Sequence, residues 1–263
     1  MNLKTNLISG AGNTFHVTQV FCDNAGNPPF TTEKMKMLTV RVCSENPADG
    51  FIFLAKASPV GDEFKWWFFN NDGSDAEMCG NATRCVGYFI ENQLGSTHKS
   101  WRLKTVAGNI TIDYVDKKEF KIKMTPIKKY SSDFGFYCDT GVPHLVIETK
   151  KLITNQKLKQ EARLLRNHPS FLPRGTNVTF IEIESDEHKV KAVSYERGVE
   201  DFTAACGTGA MAAAFYNLTK RGVKQTQVEM PGGTLMMDLS DLGCPEMTGP
   251  AVLLGSFEYD ISI

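Results

Sequence analysis

The apolar positions of this chain fall into short β-rich segments separated by turn residues. In the first half they are Leu38 to Cys43, Phe51 to Ala55, Phe64 to Phe69, Trp101 to Thr105, Asn109 to Tyr114 and Phe120 to Met124. Pairs such as Ala107-Gly108 and Asp116-Lys117 mark the turns between them. After Pro126 the pattern starts again, with Gly135 to Cys138, His144 to Glu148, Asn177 to Glu184, Val190 to Tyr195, Gln225 to Met230 and Gly233 to Asp238. A restart of this kind predicts a second domain. Helical spacing is rarer: Glu33 to Met37 predicts a short helix and Gln156 to Arg166 a polar, basic one with a solvated face. Two further segments are more apolar. Cys85, Val86, Phe89 and Ile90 recur at helical spacing until Gly95, and Met211, Ala214, Phe215 and Leu218 until Gly222, which predicts two helices buried against their sheets.

Each of those apolar helices follows nearly the same phrase, AEMCGNATRC at 76 to 85 and TAACGTGAMA at 203 to 212. In both, a cysteine precedes Gly and a small polar residue, Gly80-Asn81 or Gly207-Thr208, and an acidic loop precedes the cysteine. An ancient duplication is the simplest reading. It predicts two similar β-rich domains, each with a central helix, and a cleft into which both helix amino ends point. Cys79 and Cys206 would then sit where free N–H groups and the helix dipole favour a thiolate.

Composition narrows the partners and the compartment. With 29 basic against 30 acidic residues, the chain lacks the basic field that draws nucleic acid or anionic lipid. MNLKTNLISGAGNTF has no continuous apolar core of a signal peptide, and no run reaches bilayer-spanning length, so a cytoplasmic protein is expected. Seven cysteines without scaffold-like spacing fit a reducing compartment. No C-x-x-C or H-x-x-x-H spacing occurs, so no metal is expected. Cys22, Cys43, Cys85, Cys138 and Cys244 read as structural thiols.

Two thiols in matched settings suit a reaction that removes a proton from one face of a carbon and returns one to the other. A carbon acid next to a carboxylate needs a base, an acid and donors for the carboxylate as it gains enolate character. Fixed donors usually supply the largest catalytic contribution, and the Gly80-Asn81 and Gly207-Thr208 amides at two helix ends can provide them. Glycine after each thiol leaves room for substrate to approach the backbone. His144 in TGVPHLVIE gains weight if it neighbours a thiol, because the pair exchanges protons readily near neutral pH. Glu196-Arg197 directly precedes the second cysteine loop, and PGG at 231 to 233 reads as a hairpin turn.

The chain resembles the diaminopimelate epimerases, cofactor-independent two-cysteine enzymes. The likeness is carried by GAGNTFHV at 10 to 17, NNDGSDAEMCGNATRC at 70 to 85, TGVPH at 140 to 144, GTNVTF at 175 to 180, YERGVEDFTAACGTGA at 195 to 210, MPGGTL at 230 to 235 and MTGPAV at 247 to 252. The resemblance implies an α/β (α+β) fold of two similar domains, residues 1–126 with 251–263 and residues 127–250, the C-terminal strand returning to the first. It implies that Cys79 and Cys206 are the acid and base, that the Gly80, Asn81, Gly207 and Thr208 amides hold the reacting carboxylate, and that His144 and Glu196 tune the thiols. Glu196 would also reach the substrate ammonium. Asn13, Asn70, Asn177 and Arg197 would bind substrate, Arg197 through its planar fork on the distal carboxylate. Independence of pyridoxal phosphate and other cofactors, a small amino acid substrate and a homodimer follow from the same likeness. The chain carries Val142 where many members have Asn, and Gly255 in place of a tyrosine that supports dimerisation in some members. Racemisation of another amino acid, or non-catalytic binding on the same scaffold, are the alternative readings.

Overall fold

A computed structural model of the protein describes residues 2–57, 61–76, 79–106 and 108–261. Glu77 and Met78 of the first acidic loop, Ala107 of the expected turn and the last two residues lie outside the described residues. The chain forms two compact units, one of Met1–Ile122 with Pro250–Ile263 and one of Lys123–Gly249. Among the described residues no helix is long and apolar enough to cross a membrane.

The first unit contains β1 (Asn2–Gly10), β2 (Asn13–Gln19), α1 (Thr32–Glu45), β3 (Gly50–Lys56), β4 (Glu63–Asn70), α2 (Gly80–Asn92), β5 (Ser100–Thr105), β6 (Gly108–Asp116) and β7 (Glu119–Lys123). The second contains β8 (Lys128–Tyr130), β9 (Phe136–Asp139), β10 (Pro143–Glu148), α3 (Gln156–Arg166), β11 (Asn177–Ile183), β12 (Lys189–Glu196), β13 (Asp201–Phe202), α4 (Gly207–Arg221), β14 (Gln225–Met230), β15 (Gly233–Asp238) and β16 (Glu246–Pro250). The last strand, β17 (Val252–Asp260), pairs antiparallel with β1.

The duplication read from the cysteine phrases is visible in the strand pairing. From β1 through β6, neighbouring strands pair antiparallel, parallel, antiparallel, parallel and antiparallel. The series β9, β10, β11, β12, β14 and β15 repeats that order. Each parallel pair requires a crossover, and a helix fills each one. Thus α1 and α3 follow the first pair of strands, and α2 and α4 follow the second.

The two post-cysteine helices are the central ones. α2 packs on β1, β2 and β6 and buries ten of its thirteen residues, from Gly80 to Ile90. α4 packs on β9 to β12, β14 and β15 and buries Gly209 to Asn217 without a break. A helix enclosed by one curved sheet meets apolar surroundings on nearly all sides, which explains the run of alanines at 212 to 214. By contrast α3 buries only Ala162, in keeping with a solvated face, and Asn155 caps it by accepting from Leu158 N–H (2.9 Å).

One predicted strand is a helix. Leu38 to Cys43 lies inside α1, which runs from Thr32 to Glu45 and absorbs the short helix expected at Glu33 to Met37. Its β-branched residues suggested a strand, but Met35, Leu38, Thr39, Val42 and Cys43 are buried at helical spacing, and Thr31 caps the helix by accepting from Lys34 N–H. Packing of that stripe against β3 and β4 outweighs local preference. Apolar alternation does not mark strand β1, because its buried positions include Thr5 and Gly10.

Candidate active site

Cys79 is the residue preceding α2, with φ −129° and ψ 120°, extended backbone that delivers the thiol to the helix amino end. Thr83 N–H and Thr83 Oγ1 both donate to the Cys79 carbonyl at 2.9 Å. The Gly80 and Asn81 N–H groups therefore stand ahead of the first helical bond, where a helix offers them no acceptor. The Asn81 side chain is fixed at both ends. Its Nδ2 donates to Asn13 Oδ1 (2.6 Å), and its Oδ1 accepts from Arg84 Nη2 (2.9 Å). Asn13 in turn donates to Asp49 Oδ2 (3.3 Å), which also takes the Thr14 N–H (2.8 Å). Asn13 and Asn81 are thus held together, whereas the exposed Asn70, last residue of β4, bonds Ser74 Oγ (2.9 Å) and shapes the loop leading to Cys79.

Close approach of backbone to backbone makes this corner possible. A Cβ on Gly10 would lie 2.6 Å from the Asn81 carbonyl and 3.0 Å from Cys85 Sγ, so only glycine lets β1 reach the first turn of α2. Arg84 is fully buried one turn after Cys79, and burial pulls its guanidinium down to about 10, still charged at neutral pH. It was not foreseen from the sequence. An arginine inside an otherwise apolar helix was the available signal.

Cys206 precedes α4 in the same way, with φ −135° and ψ 104°. Its N–H donates to Met230 Sδ (3.4 Å), and its sulfur accepts from Gly209 N–H (3.4 Å). The first helical bond is Ala210 N–H to the Cys206 carbonyl (2.8 Å), which leaves Gly207 and Thr208 N–H at the open end. The residue is 4% exposed. Burial, and then the charge of Glu196, push its thiol well above the ordinary range, so it is a thiol at neutral pH. Glu196 ends β12 as Asn70 ends β4. Burial raises its carboxyl, which hydrogen-bonds the Cys206 thiol and accepts from Thr203 Oγ1.

His144 opens β10 and pairs in register with Asn177 of β11. It is fully buried, and burial holds its imidazole down to about 3, neutral throughout the physiological range. Its Nε2 lies 2.9 Å from Thr208 Oγ1, and Thr208 Oγ1 lies 3.4 Å from Cys206 Sγ. The histidine therefore reaches the thiol through one hydroxyl. Its Nδ1 lies 2.9 Å from Thr179 Oγ1, and Thr179 Oγ1 lies 2.9 Å from Ser194 Oγ. Asn177 accepts from Arg197 N–H (2.8 Å) and reaches His144 Nε2 with its Nδ2 (3.4 Å), while the exposed Arg197 donates Nη1 to the Arg174 carbonyl (2.6 Å). Ser194 lies outside the family motifs, and only the pairing of β11 with β12 sets its hydroxyl against Thr179.

None of the other five cysteines stands directly before a helix. Cys43, Cys85 and Cys138 are buried and pushed up by burial, to about 12 for Cys43 and Cys138, as core thiols are.

Two like units, each presenting a thiol at the amino end of its enclosed helix, form a fold shared with racemases and epimerases. A Bacillus anthracis phenazine biosynthesis protein of the PhzF family superposes with a TM-score of 0.74 over 99% of this chain and 100% of that one, at 15% identity. A hydroxyproline epimerase from Agrobacterium vitis superposes with a TM-score of 0.64 over 98% and 91%, at 16% identity. In sequence, the family described as diaminopimelate epimerase matches residues 9–130 and 136–254. The diaminopimelate epimerase of Aquifex aeolicus is 37% identical over 207 residues, covering 74% of this chain and 73% of the relative. That of Synechococcus elongatus is 32% identical over 292 residues and covers all of both chains. The chain belongs to the diaminopimelate epimerase family.

Proposed function

We propose that this protein interconverts LL- and meso-2,6-diaminopimelate by proton transfer at Cα, with Cys79 and Cys206 as the two exchanging groups. The observation that carries the reading is the matched placement of both thiols before α2 and α4, each followed by unpaired-in-helix amides, in a chain whose relatives are diaminopimelate epimerases. In the resting enzyme Cys206 is the acid, because burial and Glu196 keep its proton on sulfur. Cys79 is then the base, and the roles exchange when the reaction runs backwards.

The Gly80, Asn81, Gly207 and Thr208 amides receive the reacting carboxylate as it becomes enolate-like, and Glu196 receives the substrate ammonium. Asn13, Asn70, Asn177 and Arg197 form the substrate-binding set, with the guanidinium of Arg197 on the distal carboxylate. The reaction needs no pyridoxal phosphate, since the thiols act on the free amino acid. A cytoplasmic homodimer supplying lysine and peptidoglycan precursors completes the reading, supported by family membership.

The test is turnover of LL-diaminopimelate, followed as exchange of the α-proton in deuterated water, with single-carboxylate amino acids as competitors. Cys79→Ala and Cys206→Ala should each lose at least about 10³-fold in epimerisation. Near-wild-type turnover by either variant would sink the two-thiol scheme. Better turnover of a single-carboxylate amino acid would remove diaminopimelate as the substrate.

A further inference from the structure

The hydrogen-bond directions around Cys206 follow from one donor that cannot be reversed. The Arg197 backbone N–H donates to Asn177 Oδ1 (2.8 Å), so the other end of that amide, facing His144 Nε2 at 3.4 Å, is the NH₂ group. An NH₂ group only donates, so Nε2 carries a lone pair and the neutral ring keeps its proton on Nδ1. Nδ1–H then donates to Thr179 Oγ1 (2.9 Å), and the Thr179 hydroxyl donates onward to Ser194 Oγ (2.9 Å). On the other side, Thr208 Oγ1 lies 2.9 Å from the same Nε2 lone pair, so its hydroxyl proton points at the ring. What Thr208 offers the sulfur 3.4 Å away is therefore an oxygen lone pair.

We infer that Asn177, Thr179 and Ser194 are positioning residues that lock His144 as the Nδ1–H tautomer and thereby make the Thr208 hydroxyl a switch for the protonation state of Cys206. With the proton on sulfur, the thiol donates to the Glu196 carboxylate while Thr208 turns an oxygen lone pair, not a proton, toward the sulfur, and the acid form is held. When Cys206 gives its proton to the substrate carbon, the Thr208 hydroxyl turns from Nε2 to Sγ and donates to the new thiolate beside the Gly209 N–H. No bond to hydrogen is broken in that turn, and Asn177 Nδ2 keeps Nε2 bonded while the hydroxyl is away. The isolation of this chain from water makes the switch effective, because His144, Thr179 and Ser194 are completely buried and an unmet polar group there costs about 1–3 kcal/mol. Thr179 and Ser194 thereby work in proton transfer although the hydrogen-bond partners of the thiol are Thr208, Gly209 and Glu196. It also gives the Thr208 side chain a role separate from that of its amide.

This inference rests on the reading of Cys206 as a proton-transfer thiol, and its first test needs no substrate. In protein labelled with ¹⁵N at histidine, with His144 assigned by its loss in His144→Gln, the ring nitrogens should report the proton on Nδ1 and the lone pair on Nε2. Thr179→Val removes the acceptor of Nδ1–H with little change of shape and should shift part of the population to Nε2–H. A wild-type ring protonated on Nε2, or no shift in Thr179→Val, overturns the inference. Thr208→Val should lower kcat for LL-diaminopimelate by about 10²-fold, and Thr208→Ser, which restores the hydroxyl, should recover at least about tenfold of that. Equal losses in both variants overturn the switch. Absence of wild-type turnover would refute the proposed substrate, and the tautomer measurement would then decide the inference alone.

Discussion

Replacing Gly209 by alanine tests how tightly α4 is seated on the strands that hold the Cys206 corner. An ideal Cβ at Gly209 would stand 2.1 Å from Ser194 Oγ and 3.2 Å from both Ser194 Cβ and Thr179 Oγ1. Ser194 is completely buried, so its hydroxyl has nowhere open to go, and turning it breaks the 2.9 Å bond to Thr179. Overpacking of this kind costs about 1–3 kcal/mol, and the broken buried hydrogen bond about 1–3 kcal/mol more. The better helix propensity of alanine returns about 0.5–1 kcal/mol. A net loss of about 3 kcal/mol should lower Tm by roughly 6–12 °C. Thermal denaturation followed by circular dichroism, with urea denaturation beside it, measures this directly. The decisive comparison is Gly209→Ala combined with Ser194→Ala. The double variant lacks the oxygen at 2.1 Å, so it should be more stable than the sum of the single losses by about 1–3 kcal/mol. A Gly209→Ala protein as stable as the wild type, or strictly additive losses, would refute the packing argument.

Three further outcomes are expected. Burial holds His144 at about 3, against 6.5 for an exposed imidazole, so protons bind the unfolded chain first; stability should fall by up to about 1.4 kcal/mol per pH unit between those values. His144→Gln should flatten that acid slope, and equal slopes in urea titrations would count against a buried neutral ring. The Glu196 carboxyl is raised by burial, so its contribution is favourable below the ordinary carboxylate range and is lost as pH rises through its folded value. Glu196→Gln should therefore melt higher than wild type at pH 8, with the gap closing toward acid pH, while kcat/KM falls; a lower melting point at pH 8 would contradict this. Gly10→Ala sets a methyl 2.6 Å from the Asn81 carbonyl and should cost about 1–3 kcal/mol by overpacking, with a lower kcat as the first turn of α2 shifts. An unchanged urea midpoint would show that β1 does not press on that turn.

Much of this protein is legible without coordinates where the signal is local. Gly-rich cysteine phrases mark the starts of α2 and α4 because a helix start, its cap and its first amides are consecutive in the chain. Gly222, with φ 76°, ends α4 where the sequence said it would. The strands that alternate cleanly, such as 101 to 105 and 225 to 230, are strands for the same local reason. Local preference misleads at 38 to 43, where β-branched residues lie in a helix because the buried stripe of α1 has β3 and β4 to cover it.

The tertiary structure decided what no stretch of sequence contains. Thr179 and Ser194 are ordinary strand residues until β11 and β12 pair in register and place them face to face. His144 comes beside Asn177 only through the parallel pairing of β10 and β11. Arg84 is buried only because the sheet of its unit encloses α2. The sequence by itself determined the family, through motifs spread along nearly its whole length, and it set each thiol beside the amides that follow it. The folded structure decided the burial of Cys206 and the hydrogen-bond partners of His144, which exist only once distant strands have come together.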